Sequence, residues 1–203
     1  MYSVIRLTIG FVIFLALFVS INRFKLSRKR LLYLADFCIS ALLVTVLMFL
    51  PFENAFATFD SPEKAYNYFN FGKSNDKLVI DGNSCDLVVD SKDGVDQYLI
   101  IPKTEDGWKI GIGSNTRRIA QKLSDGIIVY VYQYKNTNDC FLKIFDTNGG
   151  ESTITDEYNT EFFSLERYDD SLDKKFVTYY AHITEFNTQY SVIVNGIEIA
   201  LNN

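Results

Sequence analysis

Residues 7–22 read LTIGFVIFLALFVSIN and residues 31–52 read LLYLADFCISALLVTVLMFLPF, joined by a short basic segment, RFKLSRKR, at 23–30. The first run carries no charge and the second only Asp36. In helical form, at about 1.5 Å rise per residue, each covers most or all of a hydrocarbon core about 30 Å thick. Two membrane spans are therefore expected, at about 4–22 and 31–52, with Arg6 snorkelling to the headgroups at the edge of the first. A soluble alternative would need two consecutive helices buried on every side.

The connecting segment sets the orientation. Arg23, Lys25, Arg28, Lys29 and Arg30 place five cations in eight residues with no acid among them, and basic loops stay cytoplasmic. Everything after residue 52 is then extracytoplasmic. Asp36 is the one ionisable group inside either run proper, a position that marks a functional candidate by default. It lies only about a turn and a half from the cytoplasmic end, so it reads as an interfacial carboxylate that orients its helix rather than as a proton relay. Arg6 is not its partner, because an antiparallel hairpin puts Arg6 level with the outer end of the second span. Ala55-Phe56-Ala57 follows Pro51 with the small-x-small spacing of a signal-peptidase site. A cleaved signal would make the first span superfluous, so a retained hairpin is the preferred reading.

Six of the 20 Lys and Arg but only one of the 25 acids lie in residues 1–52, so the remainder carries a net charge of −10. That balance argues against nucleic acid and against lying flat on anionic lipid. Abundant aromatics and only three prolines suit a packed β-rich core. No Asn-x-Ser/Thr sequon occurs in the chain, which points to a bacterial plasma membrane rather than a eukaryotic cell surface.

After a connector at 53–60, Ser61-Pro62-Glu63 supplies a cap, a first-turn proline and a first-turn acid. A helix should run from there to about residue 71 and stop at Gly72, with Ala65, Tyr66 and Phe69 facing a core. Strands are expected at 77–80, 84–89, 97–101 and 108–112, since turn chemistry every eight to ten residues marks an antiparallel meander. At 113–126, GSNTRRIAQKLSDG suggests a short helix capped by Asn115 and ended by Gly126, with Ile119 and Leu123 on one face. This is the expected boundary between subdomains 61–112 and 113–203. Further strands are expected at 127–135, 141–146, 151–155, 161–167, 175–183 and 189–194. The last should pair with 197–201 across Asn195-Gly196, a dipeptide that tolerates positive φ twice. A gapped likeness between 127–149 and 176–196 reads as two similar hairpins.

The search for chemistry returns little. His182, the only histidine, has no visible ligand partners or catalytic companions. Of three cysteines, Cys85 and Cys140 are the candidate disulfide in an oxidising compartment. Residues 146–157, DTNGGESTITDE, place acids like a calcium loop but have Glu151 where the sharp turn needs glycine, and read as an acidic hairpin turn. No phosphate-cradling loop, nucleophile elbow or dinucleotide fingerprint appears, so neither a cofactor nor a metal is expected. In strand 127–135, period-two alternation puts Tyr130, Tyr132 and Tyr134 on one face and Val129 and Val131 on the other. Both faces are apolar; an open tyrosine face would be a binding platform for a glycan or a peptide.

The chain is thus expected to be an α+β membrane protein: a two-helix transmembrane hairpin followed by a mainly antiparallel β domain with one leading helix. The expected function is an extracytoplasmic binding or interaction module, with a membrane or envelope protein as partner. A sensor signalling through such a partner and a cell-envelope hydrolase are the alternatives.

Overall fold

The structure, a computed structural model, describes residues 2–23, 29–70, 77–92, 95–111, 115–135, 137–169, 173–184, 186–187 and 189–201. Its backbone divides into two compact units, Met1–Ala57 with Asn67–Gly72 and Thr58–Tyr66 with Lys73–Asn203.

In the first unit, α1 (Tyr2–Arg23) and α2 (Lys29–Phe49) form an antiparallel pair, each long and apolar enough to cross a membrane. The basic loop 24–28, with Lys25 and Arg28, lies outside the described residues. The pair packs closely where α1 has no side chain: a Cβ on Gly10 would lie 2.1 Å from Val44 Cγ2. Outward flanks are apolar, with Leu7, Phe11, Leu34, Phe37 and Leu42 all exposed, whereas the polar groups Arg6, Asp36 and Ser40 are buried. Such an inside-out distribution suits lipid, where a polar group needs an internal partner.

Arg6 corrects one expectation. It is fully buried and does not reach outward; it makes a bidentate pair with Glu53 at 2.7 and 2.5 Å and donates to the Leu47 carbonyl at 2.6 Å. Glu53 lies in a 3₁₀ turn, Phe52–Ala55, just past α2, at the level the hairpin geometry assigns to Arg6. A buried fork-to-carboxylate pair is the favourable alternative to an unpaired cation in a span. Asp36 is likewise turned inward, only 3% exposed; Ser40 Oγ donates to Oδ1 at 3.4 Å, and Oδ2 has no hydrogen-bond partner among the described residues.

Helix α3 (Pro62–Phe69) begins as expected, with the Lys64 amide donating to Ser61 Oγ. Ala65 and Tyr66 are fully buried, and Phe69 packs against Tyr2 at 5.0 Å. The expected stop at Gly72 lies outside the described residues.

In the second unit, β1 (Lys77–Ile80), β2 (Cys85–Lys92), β3 (Val95–Thr104) and β4 (Gly107–Trp108) form an antiparallel meander in that order. A five-stranded antiparallel sheet follows from β5 (Thr116–Ser124), β6 (Ile127–Tyr134), β7 (Asp139–Asp146), β9 (Phe163–Asp169) and β10 (Lys174–Thr184), in the order β5-β6-β7-β10-β9. A third sheet orders β12 (Ile197–Ala200), β11 (Ser191–Val194) and β8 (Ile154–Asp156). The five-stranded sheet lies between two cores. Val129, Val131, Leu142, Ile144, Val177 and Ala181 pack with Val192, Val194 and Ile199 of the third sheet. On the opposite face, Phe141, Tyr180, Tyr132 and Tyr134 pack with Ile80, Leu87, Val89 and Ile100 of the meander. The doubly apolar strand sequences are explained by this: their two faces serve two cores.

Three local expectations are corrected. Residues 116–124 are strand β5, not a helix, because the hairpin partner β6 takes its backbone bonds and Asp125-Gly126 (φ 48° and 81°) forms the connecting turn. A bulge falls between Arg118 and Ala120, and the four-residue spacing of Ile119 and Leu123, which reads as a helical face, suits a period-two strand as well. The second of the two similar segments is not a hairpin: β10 pairs with β7 and β9, while β11 pairs with β8 and β12. Residues 146–157 accordingly join two different sheets instead of turning within one. Asn195-Gly196 (φ 52° and 82°) does connect β11 to β12 as expected.

Candidate functional site

The three tyrosines of β6 share a face but not an environment. Tyr134 and Tyr132 sit against the core beneath the meander, Tyr132 with its ring 4.9 Å from that of Tyr98. Tyr130, half-buried, reaches past the edge of that cover and lines a hollow of about 270 Å³ with Asp96, Lys143, Phe145, Arg167 and Thr178. The period-two alternation that placed Tyr130 on this face also places Lys143 and Phe145 on it from β7, since Tyr130 pairs with Lys143 and Ile128 with Phe145. Thr178 pairs with Phe145 from β10, and Arg167 pairs with Phe176 from β9.

Lys143 is the centre of this hollow. Its side chain is 19% exposed and its ammonium lies 3.6 Å from Asp96 Oδ2, an ion pair beyond hydrogen-bond reach. The rings of Tyr98 and Tyr180 lie 5.8 and 5.7 Å from it. Burial pulls the lysine below its ordinary range, with the positive charge of Arg167 acting in the same direction, against the opposing pull of Asp96. Asp96 Oδ2 accepts from the Tyr180 hydroxyl at 3.1 Å. The Arg167 guanidinium stacks over Phe145 and Phe176 at 6.0 and 5.5 Å. Of the residues lining this hollow, sequence reasoning named Tyr130 as a candidate and did not name Lys143, Arg167 or Asp96. The register β6-β7-β10-β9 was the missing signal, because it alone brings four separate strands to one patch.

A second polar cluster gathers His182, the lone histidine. Asp139, 2% exposed, accepts from His182 Nε2 at 2.7 Å, from the Asn83 and Ser84 amides at 2.9 and 2.8 Å, and from the Ser84 hydroxyl. Burial raises this carboxyl, yet the Ser84, Asn83 and His182 donors outweigh it and hold it below the usual carboxylate range. Serine and histidine here both bind the carboxylate and not each other, so the histidine is not placed to take the serine proton. The arrangement anchors the Asn83-Ser84 turn to β7 and β10. Asp86, fully buried, does similar work, accepting from Trp108 Nε1 and Lys103 Nζ, each at 2.6 Å.

Cys85 and Cys140 are both buried free thiols. They belong to different cores, Cys85 beneath the meander and Cys140 on the opposite face of the five-stranded sheet. Burial raises both thiols, with Asp139 raising each further. Among the described residues no three His, Cys, Asp or Glu side chains gather as metal ligands. No protein-family model, no curated protein and no solved structure matches this chain.

Proposed function

We propose that the protein is a two-pass membrane-anchored binding module whose β domain faces the extracytoplasmic side and meets its ligand or envelope partner there. The observation that carries this reading is the hairpin's distribution of side chains. Leu, Val and Phe lie outward along both helices, while Arg6, Asp36 and Ser40 are turned inward. The five cations of 23–30 support the orientation, and the net charge of −10 beyond the hairpin suits a domain held away from an anionic membrane surface. A binding role rests on the hollow around Lys143, which joins aromatic walls to charged groups in the way ligand sites do.

The test is single-cysteine labelling in intact cells with a membrane-impermeant maleimide, in a background where Cys38, Cys85 and Cys140 are alanine. Asn203→Cys should label and Ser27→Cys should not, both on a full-length band. The reverse labelling would overturn the orientation, and a band shorter by about 57 residues, cut at the Ala55-Phe56-Ala57 site, would overturn the anchoring.

A further inference from the structure

Trp108, the only tryptophan, is half-buried and pinned at one edge. Its Nε1 donates to the buried Asp86 at 2.6 Å, and its backbone pairs with Lys103 on one side and Phe59 on the other. Among the described residues the indole ring stacks on no aromatic ring and meets no cation. It forms one wall of a hollow of about 590 Å³ at one end of the meander, where the β1–β2 and β3–β4 turns meet; Asn83, Ser84, Lys103, Thr104 and Glu105 also line it. Both turns are fixed, the first by the Asn83 and Ser84 amides on Asp139, and the second to the first by the Lys103 amide on the Ser84 carbonyl at 2.8 Å. A held aromatic plane without a ring partner suits a stacking ligand, because little ordering remains to be done on binding.

The polar groups around the ring are unequal. Donors are engaged: Lys103 Nζ on Asp86 at 2.6 Å and on the Gly82 carbonyl at 2.9 Å, Asn83 Nδ2 on Thr184 Oγ1 at 3.2 Å, the Thr104 hydroxyl on the Gly107 carbonyl at 2.8 Å, and the Ser84 hydroxyl on Asp139. Acceptors are open: Asn83 Oδ1 and the Glu105 carboxylate, both on exposed side chains, make no hydrogen bond or ion pair among the described residues. An anion entering here meets oxygen acceptors in place of donors. A small ammonium ion would fill little of the volume, with Lys103 on the same wall and Glu105 screened by water. From this juxtaposition we infer that the hollow binds a neutral pyranose sugar. Its apolar C–H face lies on Trp108, and its hydroxyls donate to Asn83 Oδ1 and Glu105. A volume of about 590 Å³ falls within the range of ligand pockets and accommodates two linked rings. The inference goes beyond the reading of the β domain as a binding module, since this hollow is separate from the one around Lys143.

The test uses the full chain in micelles of an uncharged, sugar-free polyoxyethylene detergent, titrated separately with cellobiose, D-sorbitol, D-glucuronate and choline. Calorimetry reads the affinity, and the emission of the single tryptophan reads the place. Cellobiose should bind with a dissociation constant on the order of 1 mM and shift the emission to the blue in step with the heat. Sorbitol, which has hydroxyls but no ring face, and the two ions should bind at least about tenfold more weakly. Trp108→Ala should weaken cellobiose at least about tenfold. Asn83→Ala and Glu105→Ala, which remove exposed side chains, should each weaken it roughly three- to tenfold and decide the matter if the tryptophan variant misfolds. Lys122→Gln on β5 should bind as the wild type does, and an unchanged circular-dichroism spectrum certifies the fold of each variant. No binding of cellobiose, heat without an emission shift, sorbitol or either ion binding as tightly, or undiminished binding by the folded hollow variants would overturn the proposal. Micellar binding does not depend on sidedness, so such a failure leaves the maleimide result standing, and the reverse also holds.

Discussion

At the scale of single residues, the chain repeatedly buries a charge and then surrounds it. Asp139 has five donors, two of them backbone amides and one the Cys85 thiol at 3.7 Å, and its carboxyl lies below the ordinary value near 3.9. A carboxyl depressed in the folded state stabilises the fold above its unfolded value and loses that contribution as pH falls through the folded one. Asp139→Asn should therefore lower the unfolding free energy by roughly 3 kcal/mol at pH 7. The gap should narrow below about pH 4, where the wild-type carboxylate itself takes up a proton. Urea titrations followed by Trp108, the only tryptophan, read both values; equal midpoints at pH 7 would remove the anchoring role. Glu53 obeys the same logic: burial raises it, and the Arg6 and Tyr68 hydrogen bonds bring it below its usual range. Its partner Tyr68 is pushed up to about 12, by burial first and then by that carboxylate. None of these pairings was legible in the sequence, because 55 residues separate Ser84 from Asp139 and 47 separate Arg6 from Glu53. Only the level of Arg6 within the hairpin followed from spacing.

At the scale of elements, local chemistry was legible where one turn or one period decided the outcome, and misread where two codes overlapped. Ser61 and Pro62 open α3 as their types require, and Asn195-Gly196 forms its turn. Gly126 misled: the same residue ends a helix or closes a hairpin, and the four-residue spacing of Ile119 and Leu123 fits a helical face as well as the period-two strand β5. The sheet order that assembles the Lys143 hollow was out of reach altogether, since hydrophobic alternation fixes a face and not a neighbour. The two glycine turns yield a paired prediction. Gly126 and Gly196 share almost the same φ, 81° and 82°, but a Cβ at Gly196 meets nothing within 4 Å while one at Gly126 lies 2.7 Å from Asn148 Nδ2 and 2.9 Å from Thr147 Oγ1. Gly196→Ala should cost only the backbone strain, about 1 kcal/mol. Gly126→Ala should cost that plus overpacking, roughly 2–3 kcal/mol in all, and lose the clasp in which the Thr147 amide and hydroxyl donate to the Gly126 carbonyl. Equal losses for the two variants would show that the Thr147-Asn148 side chains simply move aside.

At the scale of the whole molecule, the proposed membrane anchoring makes one chain built for two solvents. The β sheets exclude water around cores of Val, Ile, Leu and Phe, and this driving force weakens as urea solvates apolar and peptide groups. The hairpin differs: its apolar side chains lie outward, and its helical backbone bonds are satisfied within each segment, with hydrocarbon offering no competing partner. On that proposal, urea acting from water reaches the first solvent and not the second. In detergent micelles, the full chain should lose the Trp108 environment, set by the 2.6 Å bond from Nε1 to Asp86, in one cooperative transition. The helical circular-dichroism signal of α1 and α2, 22 and 21 residues long, should persist beyond that transition, because those helices need no contribution from the β cores to stay folded. Helicity lost in step with Trp108 would mean that the hairpin draws its stability from water exclusion like an ordinary soluble helix pair, and the membrane reading would fall with it.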